Sequence, residues 1–499
     1  MTADRAEQSP RGAACAPGPR PQPLRRMLGE SAVYGLGGVA NQTLAIVLVP
    51  IYARQLGVAD FGTVAILTTT LSLATLVATA ALPQAFFRAY LKDAHDDLER
   101  DAALRTALGL RLIISTFALL AFTALSLPLA SALIGSTSAW LLVALIGPIL
   151  FFDTLNLVPL SLLRARRRPR PYAALSFSRA VLGSVLIVLF VVVLDLGVLG
   201  VVMGSLGASI VAAVLGMLVL AGERRPAPGL DRRLAGRMLA FSLPLVPASV
   251  AGWTLNLSDR YLVQAFEGRE AVGLYSAGYT VGLAINALAV APFTLAWGAA
   301  YWEIARQADA RQVIARVLTA FALLASFLAL GLAALGTDAI RILLTPAFEP
   351  ARFITPFSAF AYVLYGIFTI VSTGLNLESQ TRRVPIILGG AAIGSVLLNL
   401  VLIPVLGYLG AAVSTLVSYA VLALAAGMVS QRFYRVPWEI GRVTASLALG
   451  MTLAAAALLG PDHVAWRLAC LVAYPLLAVA LRIGSVRRLR PVLAFLSRR

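Results

Sequence analysis

The residue types that most often carry out catalysis are scarce in this sequence. The chain has two histidines and two cysteines, at His95, His463, Cys15 and Cys470. They are scattered along the chain, so they form neither a metal-ligating cluster nor a recognisable nucleophile–base pair. Cys15 lies in a polar N-terminal stretch and Cys470 in an apolar run, so no disulfide between them is expected. The sequence therefore predicts no enzymatic activity and no metal site.

Charged side chains within long apolar stretches are the more promising chemical groups. They are Arg54, Asp153 with the nearby amide of Asn156, and the adjacent pair Asp259 and Arg260. A charge surrounded by hydrocarbon is expensive, so such a group faces a water-filled space or pairs with an opposite charge. Each of these residues is therefore a candidate for binding a polar part of a substrate.

These residues belong to a chain whose composition requires a mostly apolar environment. The 499 residues have a mean hydropathy of +0.85, and 59% are hydrophobic while only 13% are charged. A soluble domain carries about 25% charged residues. A chain this apolar cannot maintain a water-exposed surface, so most of its surroundings are expected to be hydrocarbon. The predicted fold class is an all-α integral membrane protein.

Apolar stretches of about 20 residues recur along the chain, and each is long enough to cross a bilayer as a helix. Residues 1–29 precede them and are rich in Pro, Arg, Ala and Gly, which predicts a disordered tail. Fourteen spans are predicted, at residues 31–53, 61–84, 107–130, 139–162, 173–194, 197–221, 239–264, 271–297, 313–335, 354–377, 384–404, 408–430, 443–460 and 464–483.

The distribution of Lys and Arg predicts the orientation of these spans. If the N-terminus is cytoplasmic, the cytoplasmic segments hold 33 of the 41 Lys and Arg residues, and the outer loops hold six. This asymmetry alternates from loop to loop, which favours an even number of spans with both termini in the cytoplasm of a cell (inner) membrane. The net charge of +18 is then a topology signal, and no nucleic-acid partner is expected.

Short motifs recur along the sequence at a nearly constant offset of 210 or 211 residues. The matching segments are GSVL at 183–186 and 394–397, LGVLG at 196–200 with LGYLG at 406–410, and the similar stretches 56–62 and 266–273. Six spans, an even number, separate the copies, so both copies have the same orientation in the membrane. Such a parallel repeat is related by an axis along the membrane normal, as in two-lobe transporters.

The repeat predicts two six-helix lobes related by a parallel pseudo-two-fold axis, with two extra helices. The predicted boundaries are a disordered cytoplasmic tail at 1–29, an N-lobe at 30–222, a cytoplasmic linker at 223–238, a C-lobe at 239–432, and two helices with a basic cytoplasmic tail at 433–499. A cavity between two such lobes can open to one side of the membrane and then to the other. This arrangement favours a transporter that works by alternating access.

Four stretches of the sequence resemble a known transporter family. They are NLSDRY at 256–261 with EAVGLYSA at 270–277, LLTPAFEPA at 343–351, QTRRVP at 380–385 with LLNLVLIPVLGYLGAAVST at 397–415, and PIYARQLG at 50–57 followed by Phe61 and Gly62. The sequence is similar in these motifs to polysaccharide transporters (oligosaccharide flippases of the Wzx type). These form a branch of the multidrug/oligosaccharidyl-lipid/polysaccharide exporter superfamily. The resemblance covers roughly residues 28–435.

The resemblance implies transport of an undecaprenyl-pyrophosphate-linked oligosaccharide from the cytoplasmic to the outer leaflet, for the biosynthesis of a cell-surface polysaccharide. The implied partners are this lipid-linked oligosaccharide, membrane lipids, and the polysaccharide polymerase or export machinery. No cofactor is expected, and coupling to H⁺ or Na⁺ stays open. The motifs consist largely of Gly, Pro and Asn in helix packing and turns, so they do not identify the sugar.

A substrate of this kind implies roles for the charged residues near the outer ends of two spans. Arg54 ends the first span, and Asp259 and Arg260 lie near the outer end of the seventh. Arginine suits pyrophosphate because its planar guanidinium matches the phosphate oxygens. These residues are therefore candidates for pyrophosphate binding in the cavity or for an outer gate between the lobes. The alternative is that the long side chains reach the outer interface by snorkelling.

Other polar residues are candidates for the cavity or for its entrance. Asp153 and Asn156 in the fourth span are either cavity groups for sugar hydroxyls or a coupling cation, or part of a structural ion pair with Arg179. The amides of three further residues either line the cavity or join helices by hydrogen bonds; these are Asn41, Gln42 and Asn286. Three arginines near the cytoplasmic side either attract the incoming pyrophosphate or anchor the topology; these are Arg88, Arg111 and Arg179.

Three other functions stay open at this point. A flippase for the peptidoglycan precursor lipid II also has fourteen helices, whereas a cation-coupled drug exporter of the same superfamily usually has twelve. A membrane-embedded glycosyltransferase or polymerase would need a large extramembrane loop with carboxylates or histidine. The longest internal loops here are about 20 residues, which argues against an enzyme.

Overall fold

The computed structural model describes residues 48, 50, 51, 53–223 and 229–483, and every regular element in these ranges is a helix. Twelve helices of the described residues are long and apolar enough to cross a membrane, and a shorter apolar helix of 17 residues follows them. One further short helix, α7, continues α6. In chain order the helices are α1 Val58–Asp93, α2 Asp97–Ala124, α3 Thr137–Ala165, α4 Pro169–Val193, α5 Gly197–Gly222, α6 Arg232–Leu257, α7 Asp259–Glu267, α8 Arg269–Ile304, α9 Ala310–Leu343, α10 Thr355–Leu377, α11 Arg383–Leu406, α12 Tyr408–Gln431, α13 Ile440–Leu459 and α14 Val464–Ala480.

The predicted spans correspond to these helices in order. Each of the thirteen spans predicted from residue 61 onward overlaps α1–α6 or α8–α14, and α7 completes the span at 239–264. The first predicted span, 31–53, lies almost entirely outside the described residues. The prediction of an all-α membrane fold is confirmed. The predicted linker at 223–238 includes the start of α6.

Contacts between the connecting segments define two faces of the helix bundle. We call the end with the connections near residues 94–96, 166–168, 229–231, 305–309, 378–382 and 432–439 the basic face, and the other end the opposite face. At the basic face, Arg166 donates to the Tyr90 hydroxyl at 3.1 Å. At the opposite face, the backbone N–H of Tyr408 donates to the Glu267 carboxylate at 2.8 Å. Each of these hydrogen bonds joins segments that lie at the same face.

The sequence repeat is reproduced in the positions where helices begin. Helices α1 and α8 begin 211 residues apart, and so do α5 and α12. A glycine with positive φ stands at the start of each of these helices: Gly197, the first residue of α5, has a φ of +55°, and Gly407, just before α12, has a φ of +64°. Glycine adopts this backbone conformation at little cost, whereas residues with a Cβ rarely do. The repeated Leu-Gly motif is therefore a repeated turn.

The helices pack mainly within two groups. We call α1–α5 the N-lobe and α7–α12 the C-lobe. In the N-lobe α2 packs on α3 and α4 on α5, and in the C-lobe α12 packs on α10 and α11. The C-lobe has one continuous core that includes the fully buried Tyr275, Tyr419 and Phe360. Most of the apolar burial in the described residues is therefore on the C-lobe side.

The last two helices, α13 and α14, pack against α9 of the C-lobe. Arg467 of α14 is buried and pairs with Asp338 of α9 at 2.5 Å and with Asp462 of the α13–α14 connection. Arg341 at the end of α9 also pairs with Asp462, at 2.6 Å, and its hydrogen bonds hold the pKa of that carboxyl below the ordinary value. This ion-pair network at the opposite face fixes the helix pair to the C-lobe.

Replacement of Arg467 by methionine is expected to loosen the α13–α14 pair. The change leaves Asp338 without its partner, and we expect a loss on the order of 2 kcal/mol in stability, since breaking a fully buried pair costs about 3–5 kcal/mol and Asp462 is half exposed. The measurement is thermal unfolding of the purified protein. The control Arg100→Gln breaks an exposed pair with Asp97 and should cost less than about 1 kcal/mol. Equal melting temperatures for the two variants would contradict the docking role of Arg467.

Candidate functional site

The two lobes approach most closely where α1 crosses α8 near the opposite face. Gly62 and Gly273 lie at this crossing. A Cβ on Gly62 would lie 1.9 Å from the carbonyl oxygen of Arg269, and a Cβ on Gly273 would lie 2.1 Å from that of Val58. Only glycine permits such an approach of two helix backbones. The crossing is therefore a direct backbone contact between the lobes.

An apolar cluster surrounds this crossing at the opposite face. Ala53 and Phe61 from the N-terminal side pack against Ile340, Phe348 and other C-lobe residues. The rings of Phe61 and Phe348 meet edge to face with centroids 5.4 Å apart. Arg54 donates from Nη2 to the carbonyl oxygen of Ile342, at 2.7 Å, near the end of α9. These contacts close the space between the lobes at this face.

Two polar contacts continue the junction toward the middle of the bundle. The indole N–H of Trp253 in α6 donates to the Ser72 hydroxyl of α1 at 2.8 Å. The hydroxyls of Tyr261 in α7 and Thr70 in α1 are also 2.8 Å apart. The first contact joins α1 to α6, and the second joins α1 to α7 of the C-lobe. The lobes are therefore connected by hydrogen bonds as well as by the glycine crossing.

Both crossing helices change direction further toward the basic face. Helix α1 is interrupted at Ala80 and Ala81, which have left-handed backbones with φ of 45° and 52°. Helix α8 contains a π-helical segment at Asn286–Val290 just before Pro292, which has no N–H to donate. Beyond these points residues 82–87 pack on α2, α3 and α6, whereas residues 291–304 pack on α9 and α10. Within the described residues, the two helices thus follow different lobes.

Helix α6 joins the two lobes through its own break. Its first part, Arg232–Ser242, packs on the N-lobe, where Ala235 and Met238 share a core with Phe86 and Leu104. A 3₁₀ turn at residues 243–245 follows, and the second part packs on α11 and α1. Among the described residues the lobes are therefore joined at the opposite face and separate toward the basic face.

The predicted site residues Asp259 and Arg260 form a buried pair inside the C-lobe. The Arg260 guanidinium lies 3.2 Å from the Asp259 carboxylate, and the two residues are 7% and 3% exposed. The Tyr275 hydroxyl donates to Asp259, and the Thr415 hydroxyl does so at 3.3 Å. The carboxylate is thus satisfied by its neighbours. The sequence placed this pair near the outer end of the seventh span and did not predict how deeply it is enclosed.

Tyrosines surround the pair and were not predicted as site residues. The Arg260 guanidinium lies over the Tyr279 ring, 4.6 Å from its centroid, in a cation–π contact. The Asn256 amide oxygen accepts hydrogen bonds from Tyr362 at 3.2 Å and from Tyr419 at 2.6 Å. Five helices, α6, α7, α8, α10 and α12, contribute to this polar cluster. The signal in the sequence was the pair of motifs at 256–261 and 270–277, which contain Asn256 and Tyr275.

In the N-lobe, Asp153 of α3 forms the ion pair with Arg179 of α4 that was one of the two predicted alternatives. The contact has two parallel hydrogen bonds, of 2.8 and 2.5 Å. The Asp153 side chain is 14% exposed and that of Arg179 is 41% exposed. Asn156 is buried instead, and a Cβ on Gly216 of α5 would meet its amide oxygen at 2.5 Å. Asn156 therefore lies in the helix packing of the N-lobe.

The remaining predicted residues are dispersed. Arg111 is buried and donates to the carbonyl oxygen of Ala78 at 3.0 Å, near the break in α1. Arg88 lies half exposed at the basic face, with Asp93 at 3.6 Å. Asn286 is half buried at the start of the π-helical segment of α8. Two predicted residues, Asn41 and Gln42, lie outside the described residues.

The sequence matches the family described as "Polysaccharide biosynthesis protein" over residues 28–297, which is more than half of the chain. A search of curated proteins finds no match.

Several solved structures share the fold. A structure titled "Lipid II flippase MurJ, inward closed conformation" has a TM-score of 0.67 and 14% identity, covering 93% of this chain and all of that one. A multidrug resistance MATE family transporter of the MOP superfamily in an inward-facing conformation has a TM-score of 0.62 and 17% identity, covering 81% and 95%. An outward-facing structure of that description has a TM-score of 0.55 and 16% identity, covering 86% and 97%. At these identities the likeness concerns the fold.

The glycine crossing is testable by thiol cross-linking across it. In a background with Cys15→Ser and Cys470→Ala, the pair Phe61→Cys and Phe348→Cys should be joined by a short bifunctional thiol reagent, because the ring centroids of the two native side chains are 5.4 Å apart. Adding Gly62→Ala places a methyl group against the Arg269 carbonyl. We expect cross-linking to fall about fivefold, which corresponds to roughly 1 kcal/mol.

The control for this experiment is Gly389→Ala, because a Cβ at Gly389 meets nothing within 4 Å. That variant should cross-link as well as the parent. The close crossing would be contradicted if Gly62→Ala and Gly389→Ala cross-linked to the same extent at equal protein levels.

Proposed function

This chain is a multi-pass membrane transporter of the MOP superfamily that belongs to the polysaccharide biosynthesis protein family, and we propose that it flips a lipid-linked oligosaccharide. The substrate would be a polyprenyl-pyrophosphate-linked oligosaccharide, moved from the cytoplasmic to the outer leaflet for cell-surface polysaccharide biosynthesis. The protein acts in this proposal as a transporter and makes or breaks no covalent bond. The mechanism is alternating access between the two lobes.

The observation that carries this proposal is the way the lobes are joined. They contact one another at the opposite face through the Gly62–Gly273 crossing, and they separate toward the basic face beyond the breaks in α1 and α8. Such a shape suits a state that accepts a substrate from the basic side. Opening of the crossing would then release it at the other side.

The positive charges support a cytoplasmic location of the basic face. Under the positive-inside rule the connections rich in Lys and Arg stay in the cytoplasm. With fourteen spans, both termini are then cytoplasmic, and the membrane is the cell (inner) membrane. The opposite face, closed by Phe61 and Phe348, is then the outer side.

The partly exposed charge of Arg179, in the half of α4 that begins at the basic face, supports an anionic substrate group. Arg179 is 41% exposed although it lies within a membrane span. An arginine is costly in hydrocarbon, so this guanidinium suits a water-filled space between the lobes. Its pair with Asp153 holds it in position and leaves part of its surface for pyrophosphate or sugar. Arg260, by contrast, is enclosed and serves to organise the C-lobe.

Two other cargoes fit the same fold. A lipid II flippase is the first alternative, because a structure with that title covers 93% of this chain. A cation-coupled drug exporter is the second, since MATE transporters share the fold. Coupling to H⁺ or Na⁺ and cooperation with a polymerase or export machinery remain parts of the proposal.

The direct test is to deplete the protein and to identify the lipid-linked sugar that accumulates. We expect a polyprenyl-pyrophosphate oligosaccharide to build up on the cytoplasmic leaflet while the surface polysaccharide disappears. Accumulation of lipid II with loss of cell-wall synthesis would favour the first alternative instead. If depletion causes neither of these defects but raises drug sensitivity, the flippase function is contradicted.

Variants of Arg179 refine this test by complementation. Arg179→Gln should reduce polysaccharide export about tenfold at unchanged protein level, since one lost charge-assisted contact is worth about 1.5 kcal/mol or more. Arg179→Lys keeps the charge but lacks the planar guanidinium. Its polysaccharide export should lie between that of the parent and that of Arg179→Gln. The control is Arg105→Gln at an exposed arginine of α2. Full export with Arg179→Gln would remove this residue from the substrate path.

A further inference from the structure

A separate cleft of about 620 Å³ lies at the basic face, between the end of α1 and the first turns of α6. Its polar rim consists of Arg88, Arg237 and Asp93. Its apolar wall includes Met238, Phe241 and Pro244. The cleft therefore combines cationic groups at the level of the basic face with an apolar side that continues along α6 into the span.

The two arginines are available for a ligand. The Arg88 side chain is 49% exposed, and its guanidinium lies over the Phe241 ring, 4.9 Å from the centroid. Its carboxylate neighbour Asp93 is 3.6 Å away, which is longer than a hydrogen bond. Arg237 is exposed, and its charge is one of those that stabilise the nearby Asp231 carboxylate. The stacking on Phe241 orients one planar donor group while leaving its edge open.

The first turn of α6 is fixed, so Arg237 is presented from a defined position. Asp231 caps this helix by accepting from the backbone N–H groups of Arg233 at 2.9 Å and Leu234 at 3.1 Å. The hydrogen bond from Leu234 holds the pKa of Asp231 below its ordinary value, so the cap is charged at neutral pH. Ala235 and Met238 bury the other side of the helix against the N-lobe. The cleft therefore lies between two packed elements.

We propose that this cleft is the first binding site of the substrate, where Arg88 and Arg237 hold the diphosphate of a polyprenyl-diphosphate lipid before it moves between the lobes. This assignment rests on the proposed flippase function and adds a site to it. Diphosphate offers several oxygens to two guanidinium groups, and the prenyl chain would lie along the apolar wall at Met238 and Pro244.

The cleft lies where a bound head group could move on toward the junction between the lobes. Both of its walls belong to helices that continue to the lobe junction, α1 to Thr70 and Ser72, and α6 to Trp253. A head group that leaves the cleft along these helices reaches polar side chains midway through the bundle. A bulk phospholipid would need no such continuation. The geometry therefore favours the transported lipid over a general anionic lipid as the occupant.

The experiment measures binding of undecaprenyl diphosphate to the purified full-length protein in nanodiscs. The double variant Arg88→Gln/Arg237→Gln should bind it about tenfold more weakly than the parent. Ala240→Phe keeps both arginines but fills the cleft at an exposed position, and it should weaken binding similarly. The control Arg233→Gln removes a neighbouring exposed arginine outside the cleft lining and should bind within about twofold of the parent.

The competing lipids separate the possible outcomes. Undecaprenyl monophosphate and phosphatidylglycerol should compete poorly with the diphosphate. Equal competition by phosphatidylglycerol would show a general anionic-lipid contact and overturn the assignment. Unchanged binding in both cleft variants, or no binding by the parent, would also overturn it. The depletion experiment judges the flippase function independently, so a failure of the cleft is distinguishable from a failure of that function.

Discussion

The contact between the backbones of α1 and α8 at Gly62 and Gly273 is the constraint on which the arrangement of the lobes depends. With no Cβ on either side, the helices approach closely enough for carbonyl oxygens to lie where a methyl group would be. The apolar cluster at Phe61 and Phe348 and the hydrogen bond from Arg54 to Ile342 can form because the crossing is this close. A contact of small residues without ion pairs can also separate without leaving a charge unpaired. The crossing can therefore act as a gate between the lobes.

The burial of charge differs between the two lobes, and this difference assigns separate tasks to them. The opposite charges of Asp259 and Arg260 cancel, and Tyr275, Tyr279 and Thr415 enclose the pair. These contacts hold the C-lobe helices together. Arg467 similarly fixes α14 to α9. In the N-lobe, Asp153 and Arg179 leave a guanidinium partly exposed within the span. The C-lobe is the better packed body, and in the proposed function Arg179 of the N-lobe is the charge within a span that meets the substrate.

Much of the fold could be predicted from the sequence because a membrane imposes a strong local pattern. Span length and loop charge gave thirteen helices in their observed order, and the Leu-Gly repeat gave the turns at Gly197 and Gly407. The enclosure of Arg260, the burial of Arg111 and the crossing at Gly62 could not be predicted. Each depends on a contact between segments far apart in the chain, and a glycine at a helix crossing resembles any other glycine in an apolar span. The sequence left Asp153 either as a cavity group or as the partner of Arg179, and only the three-dimensional structure could show the pair.

In the proposed function, the lobes separate at the opposite face and approach each other at the basic face while cargo crosses the membrane. Spin-label distances measured on two pairs test it most directly, with Arg105→Cys and Arg306→Cys at the basic face and Asp60→Cys and Glu270→Cys at the opposite face. On addition of a lipid-linked oligosaccharide to the reconstituted protein, we expect a second population in which the basic-face distance shortens and the opposite-face distance lengthens. A single, unchanged opposite-face distance while the oligosaccharide is being translocated would contradict alternating access by these two lobes.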